Sequence, residues 1–185
     1  RMIQKAYTDK DVVIIGAGIA GCIAAIALVD DYSVALVDKL PEPVDRIGES
    51  LAPATRRILK RLHLLENLDP QTARQLFINN LGMQSYWGSE RVNIKDHLQD
   101  PDGLGRNLNR KAFDSYLRTT AIDRGVECIW PATVHHSSFV DSCWQLAIRS
   151  ADTKNTETGC ITAKFVIDAT GRQSHFARGL GIRRH

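Results

Sequence analysis

Three glycines, Gly16, Gly18 and Gly21, constrain the fold of this chain more than any other sequence feature. They stand at GxGxxG spacing directly after residues 12–15, four consecutive apolar residues that are typical of a strand buried on both faces of a parallel sheet. Residues 19–29 are small, apolar and free of proline, so they predict a helix. The positive end of that helix would face an anion held by the glycine loop. The spacing therefore predicts a strand, a tight turn and a helix that together hold a pyrophosphate.

Asp38 adds an independent signal for a dinucleotide. It follows a second apolar run, residues 34–37, and stands about twenty residues after the glycines, where a carboxylate accepts hydrogen bonds from the ribose of an AMP moiety. A carboxylate at this point would repel a 2′-phosphate. NAD and FAD both contain the unphosphorylated AMP half, so these residues alone leave both cofactors open.

The bulk properties exclude several classes of protein. The chain has 185 residues, 43% of them hydrophobic, which suits one ordinary domain. A dispersed net charge of +3 does not indicate nucleic-acid binding. No apolar run is long enough to span a membrane, and the first residues contain no apolar signal core, so we expect a cytoplasmic protein. The four cysteines lie far apart without metal-ligand spacing and predict free thiols and no metal site.

The rest of the chain predicts an α/β fold, a Rossmann-like domain with a central parallel sheet and an antiparallel β meander. Helices are predicted over residues 51–65, with Ser50 or Thr55 as the cap, and 109–124, ended by Gly125. Strands are predicted over 83–87, 126–130, 133–140, 143–150 and 161–167. We expect the three strands between 126 and 150 to form the antiparallel meander, with a hairpin turn at Asp141 and Ser142. A polar hairpin turn is predicted over 152–158, before the returning strand. Residues 88–105 predict a polar loop with a turn at 100–103.

Five motifs occur in one order: GAGIAG, the acid at Asp38, IGESL, NRKAFDSYL and DATGRQSHFARGLG. In this order the chain resembles the FAD-dependent monooxygenases, and within them the tryptophan-halogenase-like branch. The resemblance implies FAD as the cofactor. It also implies that residues 1–185 form the N-terminal FAD-binding part of a longer flavoprotein, in which residues 72–108 are an excursion towards the substrate.

The resemblance also implies which residues contact FAD. The expected contacts are Gly16, Ala17, Gly18, Ile19, Ala20 and Gly21 at the pyrophosphate, Asp38, Lys39 and Val134 at the adenosine, Gly48, Glu49 and Ser50 at the flavin, Arg110 at the phosphate–ribityl region, and Asp168 and Gly171 over the AMP half. Arg178 would support the last turn. The chemistry resides on the flavin, and Glu49 is the one catalytic candidate. Two alternatives stay open, because Arg110 also fits a solvated charge at a helix start and Glu49 also fits a helix cap.

The branch within this family depends on one departure. Halogenases carry an essential lysine about thirty residues after the GES-like loop, and here that neighbourhood, residues 77–81, reads FINNL. With Lys60 and Lys95 badly placed, the chain is more similar to the flavoproteins that mature quinone cofactors built from peptidyl tryptophan, which share the IGESL loop and the WGS segment at residues 87–89. This resemblance implies a monooxygenase that uses NAD(P)H and O2 to hydroxylate a tryptophan of a partner protein. The alternatives are a halogenase, an isoprenoid reductase and a non-catalytic FAD-binding subunit.

Overall fold

The computed structural model describes residues 7–66, 68–86, 92–150 and 157–182. The chain divides into two compact units. The first unit comprises Arg1–Pro43 and Asp114–His185, and the second comprises Val44–Phe113.

The elements are numbered here in chain order. The strands are β1 (Tyr7–Ile15), β2 (Val34–Val37), β3 (Ser50–Leu51), β4 (Phe77–Asn80), β5 (Gly82–Tyr86), β6 (Val92–Asp96), β7 (Gly105–Leu108), β8 (Glu127–Ile129), β9 (Ala132–Val140), β10 (Cys143–Ser150) and β11 (Glu157–Asp168). The helices are α1 (Ile19–Leu28), α2 (Thr55–Arg61), α3 (Pro70–Leu76), α4 (Arg110–Asp123) and α5 (His175–Gly179).

A six-stranded sheet in the order β8-β2-β1-β11-β10-β9 forms the centre of the first unit. Strands β8, β2, β1 and β11 are parallel to one another, and β10 and β9 continue the sheet as antiparallel strands. The predicted fold class is therefore confirmed. One assignment within it was wrong, because β8 pairs in parallel with β2 and the meander consists of β9, β10 and β11. Strand β8 follows helix α4, and a helical crossover returns a strand in the direction of its neighbours.

The core of the first unit lies against this sheet. Both apolar runs read from the sequence are buried, and Val13, Ala35 and Val37 are fully shielded from solvent. The core cluster consists of Val13, Ile15, Ala35, Val37, Ala132, Leu146, Ile148, Ile161 and Ala163. Because β1 and β2 are covered on both faces, their sequences show continuous apolar residues and no alternation.

The termini of α1 and α4 lie close to their predicted positions. Gly125 has a φ of +90° and ends α4 as predicted. Its N–H donates to the carbonyl of Ile122 at 2.9 Å, and the N–H of Val126 donates to that of Ala121 at 3.0 Å, which is the pattern of a Schellman cap. The Asp141–Ser142 turn is also confirmed, with both residues at positive φ between β9 and β10.

The second unit contains helices α2 and α3 and two small antiparallel sheets, β3-β7-β4 and β5-β6. The predicted helix over residues 51–65 is much shorter, because Ser50 belongs to β3 and α2 begins only at Thr55. The residue before α2 is Ala54, so neither of the predicted capping side chains caps it. The predicted turn at 100–103 is confirmed, since the N–H of Gly103 donates to the carbonyl of Asp100 at 2.8 Å.

Five elements of the second unit were not predicted, namely β3, α3, β4, β6 and β7. Strand β6 lies inside the segment assigned as a polar loop, and α3 and β4 occupy a stretch that was left unassigned. Asp69 caps α3 by accepting the backbone N–H groups of Gln71 and Thr72, with Pro70 in the first turn. Trp87 and residues 152–156 of the turn predicted over 152–158 lie outside the described residues. The segment 72–108 falls within this unit, and its place beside a substrate stays a prediction.

Leu146→Ala tests the core of the first unit. Leu146 has no exposed surface, so the substitution leaves a cavity and we expect a loss of about 2–5 kcal/mol in the free energy of unfolding. The matched control is Leu180→Ala, because Leu180 is 41% exposed and should change stability by no more than about 0.5 kcal/mol. Urea denaturation followed by circular dichroism measures both, and equal losses would contradict the position of the core.

Candidate cofactor-binding site

The glycine loop between β1 and α1 is held by close backbone contacts. Gly16 has a φ of +107°, and a Cβ atom there would lie 2.4 Å from the carbonyl oxygen of Ala169. A Cβ atom on Gly21 would lie 1.8 Å from the carbonyl oxygen of Gly16. Neither position accepts a side chain, so both glycines are required by the turn and by the packing of α1.

Gly18 differs from its two neighbours because a Cβ atom there would meet nothing within 4 Å. It precedes the first residue of α1, and no side chain among the described residues caps that helix end. The first N–H groups of a helix have no partner within the helix, so those of Ile19, Ala20 and Gly21 are available to an anion. The loop thus fits a pyrophosphate in both space and hydrogen-bonding capacity.

The loop at the end of β11 lies against the glycine loop. The N–H of Ala169 donates to the carbonyl of Ile15 at 2.8 Å, and this contact joins the ends of the two strands. Asp168 fixes the turn, because its carboxylate accepts the hydroxyl of Thr170 at 2.6 Å and the N–H of Ala177 at 2.9 Å. Partial burial favours a higher pKa for Asp168, but these hydrogen bonds outweigh it and lower the pKa. The structure therefore places the turn after Asp168 against the glycine loop, and contact of Asp168 and Gly171 with the AMP half of FAD stays a prediction.

Asp38 connects the glycine loop to the end of β2. Its carboxylate accepts the N–H of Ala17 at 2.7 Å and that of Leu40 at 2.8 Å. A third contact, 3.1 Å long, joins it to the guanidinium of Arg118. A carboxylate offers about four acceptor positions. One position is therefore left for a ribose hydroxyl, and contact of Asp38 with FAD stays a prediction.

Arg118 is the main residue of this region that the sequence analysis missed. It projects from α4 with its side chain 7% exposed, and its guanidinium lies 4.7 Å from the ring centroid of Trp130. Besides Asp38, it donates to the carbonyl of Ala17 at 3.3 Å and to that of Leu40 at 3.0 Å. One buried cation thus fixes both the glycine loop and the turn after β2. The available signal was its place beside Leu117 on the apolar side of a helix, where a charge is unusual.

Within the second unit, two predicted cofactor residues form an ion pair. Arg110 Nη1 lies 2.6 Å from Glu49 Oε1, with the arginine side chain 7% exposed and the glutamate side chain 58% exposed. Arg110 is therefore not the solvated charge considered as an alternative. The Glu49 carboxylate lies beside Arg110, the first residue of α4, where a negative charge also interacts favourably with the helix dipole. Whether either residue contacts flavin stays a prediction.

Ser50, the last residue of the GES loop, belongs to a neutral polar cluster with Asn80 and Asn107. Its hydroxyl donates to Asn107 Oδ1, and the side-chain amide of Asn80 donates to the same oxygen at 3.2 Å and to the serine at 3.4 Å. The three residues come from β3, β4 and β7 of one sheet. Asn80 and Asn107 carried no signal in the sequence, because the amides become neighbours only when the strands pair.

The remaining predicted contacts have less specific surroundings. Lys39 and Arg178 are exposed, and Gly48 lies at the start of the GES loop, where a Cβ atom would be 3.2 Å from the carbonyl oxygen of Leu108. Val134 is half-buried and packs against the core cluster of the first unit, and its backbone contact with the adenine stays a prediction. The FAD contacts predicted for these four residues therefore stay predictions.

The four cysteines are free thiols, of which Cys22 and Cys160 are buried. Burial raises the pKa of Cys22 to about 12 and that of Cys128 to about 11, which makes both unreactive at neutral pH. Over the described ranges, no three His, Cys, Asp or Glu side chains gather as metal ligands. In the same part of the chain, no helix has both the length and the apolar character needed to cross a bilayer.

A parallel sheet, a glycine loop against an uncapped helix end and an acid at the end of β2 define a dinucleotide-binding α/β domain. The FAD binding domain family matches residues 9–185, and the chain belongs to it. The cofactor is therefore FAD, and the ambiguity with NAD left by the glycine motif is resolved.

The chain is similar to flavoproteins of several activities. It is 28% identical to the putative FAD-dependent oxidoreductase LodB of Marinomonas mediterranea, over 93% of this chain and 46% of that protein. It is also 28% identical to a tryptophan 2-halogenase of Chondromyces crocatus, over 89% of this chain and 31% of that one. The crystal structure of CmlS, a flavin-dependent halogenase, aligns with a TM-score of 0.79 at 28% identity, covering 96% of this chain and 32% of CmlS. The chain thus spans less than half the length of these relatives.

Gly18→Val tests the pyrophosphate loop. The backbone at Gly18 is extended and has room for a side chain, so we expect the protein to fold while the added methyl groups occupy the space of the pyrophosphate. Flavin content after purification should fall to the level of the apoprotein. Gly159→Val is the matched control, because a Cβ atom there also meets nothing within 4 Å. Full flavin content in the Gly18 variant would show that the cofactor lies elsewhere.

Arg118→Met tests the buried contact between Arg118 and Asp38. Removal of the guanidinium leaves the Asp38 carboxylate partly buried without its counter-charge, which should lower the free energy of unfolding by about 3–5 kcal/mol. Adding Asp38→Asn should recover part of this loss, and the double variant should therefore lose less than the sum of the single variants. Lys111→Met, an exposed cation of the same helix, is the control. Strict additivity in urea denaturation would rule out the coupling.

Proposed function

We propose that the protein is an FAD-dependent monooxygenase that hydroxylates an aromatic ring. The observation that favours this reaction is the side chain of Asn80, thirty residues after Ser50 and hydrogen-bonded to it. This is the neighbourhood in which the halogenases that the chain resembles carry their essential lysine. An amide is neutral and poorly nucleophilic, so it does not replace the charged amine of a lysine.

The residues of this chain would bind and orient the cofactor. The open space at Gly18 and the uncapped end of α1 would hold the pyrophosphate, and the remaining acceptor position of Asp38 would bind the adenine ribose. Glu49 and Arg110 would hold the GES loop in place, since their ion pair joins that loop to the start of α4. FAD, when bound and reduced, supplies the activation of O2.

The proposed substrate is a tryptophan side chain of a partner protein, oxidised during the formation of a quinone cofactor, with NAD(P)H as the electron donor. Two facts support this substrate. The first is that the IGESL loop and the WGS segment at residues 87–89 occur as they do in the flavoproteins that mature such cofactors, which the chain resembles. The second is that the neutral Ser50–Asn80–Asn107 cluster is suited to hydrogen-bonding an uncharged group, such as an indole or a peptide amide, in preference to an ion.

A second candidate function is halogenation of an aromatic ring. The specific observation in its favour is the 28% identity to both the tryptophan 2-halogenase and CmlS, equal to the identity to LodB. Fold similarity at this level is shared by many flavoproteins, so the reaction has to be decided at the site. The lack of a lysine in residues 77–81 makes this the weaker candidate.

The full-length protein, loaded with FAD, distinguishes the two reactions. We expect NAD(P)H to bleach the flavin absorbance without O2, and air to restore it. With the partner protein and labelled O2, mass spectrometry of the tryptophan peptide should show an added labelled oxygen atom. Bromide should leave this product unchanged.

Three outcomes would contradict this function. A bromide-dependent brominated product would establish the halogenase. Hydroxylation of free aromatic compounds without turnover of the partner protein would reject the proposed substrate. A flavin that NAD(P)H does not reduce, even with the partner present, would reject NAD(P)H as the donor.

A further inference from the structure

A cavity of about 490 Å³ in the second unit has no role in the proposed FAD site. Its lining residues are Leu65, Leu68, Ala73, Arg74, Phe77, Ile78, Asn79 and Arg106. None of them is a predicted FAD contact. Asn79 of β4 pairs directly with Arg106 of β7. The adjacent residue of β7, Asn107, pairs with Ser50 of β3. Because neighbouring residues of a strand point to opposite faces, Asn79 and Arg106 lie on the face opposite Ser50 and Asn107.

Arg106 is a half-buried cation with no carboxylate partner among the described residues. Its guanidinium lies 4.6 Å from the ring centroid of Phe77, a cation–π contact that uses one face of the planar group. Among the residues that the structure describes, no carboxylate forms an ion pair with Arg106 or Arg74. Burial and the nearby charge of Arg56 lower the pKa of Arg106. A partly desolvated cation of this kind is stabilised by any anion that reaches it.

Two other arginines of the same unit are, by contrast, paired with carboxylates. Arg57 binds both carboxylate oxygens of Asp102, and Arg110 binds Glu49 at 2.6 Å. Both of those guanidinium groups are compensated within the unit. Arg106 instead lies beside a space whose other walls include Leu65, Leu68 and Ala73.

From this arrangement we propose that the cavity binds a small aromatic carboxylate. The carboxylate accepts the paired N–H groups of Arg106, a geometry that guanidinium and carboxylate groups favour, and Arg74 adds a second positive charge. The ring is buried against the leucines and Phe77. The volume lies within the range of small-molecule sites, and an apolar wall with few polar groups is typical of them. Inorganic phosphate satisfies the charge but leaves the apolar walls exposed to water, so it binds more weakly.

Calorimetric titration of the full-length, FAD-loaded protein with 2-naphthoate tests this site. We expect saturable binding with one equivalent of ligand. The neutral analogue 2-naphthamide should bind about 10- to 100-fold more weakly, because it loses a charge-assisted hydrogen bond. Arg106→Gln should weaken naphthoate binding by a similar factor, and Arg106→Lys should retain part of the affinity because it keeps the charge but loses the fork.

Arg61→Gln is the matched control, since it removes an exposed cation of α2 that does not line the cavity. Its affinity for naphthoate should stay within about twofold of the parent protein. Flavin content and melting temperature confirm that each variant is folded. If Arg106→Gln does not fold, Arg74→Gln provides the test in its place. The proposal is overturned by a lack of saturable binding, by equal affinity for the amide or for phosphate, or by equal effects of the Arg106 and Arg61 substitutions. Binding needs no redox chemistry, so these outcomes do not depend on the proposed function.

Discussion

The carboxylate of Asp38 is the contact on which the nucleotide loop of the first unit depends. It is bonded at once to the N–H of Ala17, to the turn at Leu40 and to the guanidinium of Arg118. The glycine loop is not stable in one conformation by itself, because glycine loses more conformational entropy on folding than any other residue. The energy that fixes this loop comes from outside it, from one acid at the end of β2 and one cation of α4. The same acid is the expected ribose ligand, so the shape of the loop and the recognition of the cofactor depend on one side chain.

The sequence predicts well those parts of the fold that depend on local signals, such as a continuous apolar run or a glycine at positive φ. Strands β1 and β2 are covered on both faces, and their continuous apolar runs predicted them. The C-terminus of α4 was found from Gly125 alone, because a positive φ is a local requirement. Helix α3 has only seven residues and buries only Leu76, so no apolar period marks it, although Asp69 and Pro70 carried a start signal. The direction of β8 is a property of its pairing with β2, and no residue within the strand encodes it.

The residues of the candidate site also divide into those marked by a local motif and those whose surroundings come from distant parts of the chain. Gly16, Gly21 and Asp38 were predicted because the glycine loop is a local motif with fixed spacing. Arg118, Glu49 and Asn80 take their surroundings from residues that are distant in the chain. The Glu49–Arg110 pair joins positions 61 residues apart, and Arg118 contacts Ala17 across 101 residues. A charge on a helix is ordinarily solvated, so only the packed structure shows that Arg118 is buried.

Families that share an FAD-binding fold differ in chemistry through a few side chains, and the proposed reaction depends on side chains of the second unit. Its GES loop ends in a cluster that contains a hydroxyl and two amides, all neutral and all bonded to one another. A cluster of this kind orients an uncharged partner but neither donates a full charge nor attacks as a nucleophile. On the opposite face of the same sheet, Arg106 is charged and has no counter-ion among the described residues. The two faces are therefore suited to different ligands. The neutral face matches the hydroxylation of an uncharged ring, and the cationic face matches an anion that need not take part in that reaction.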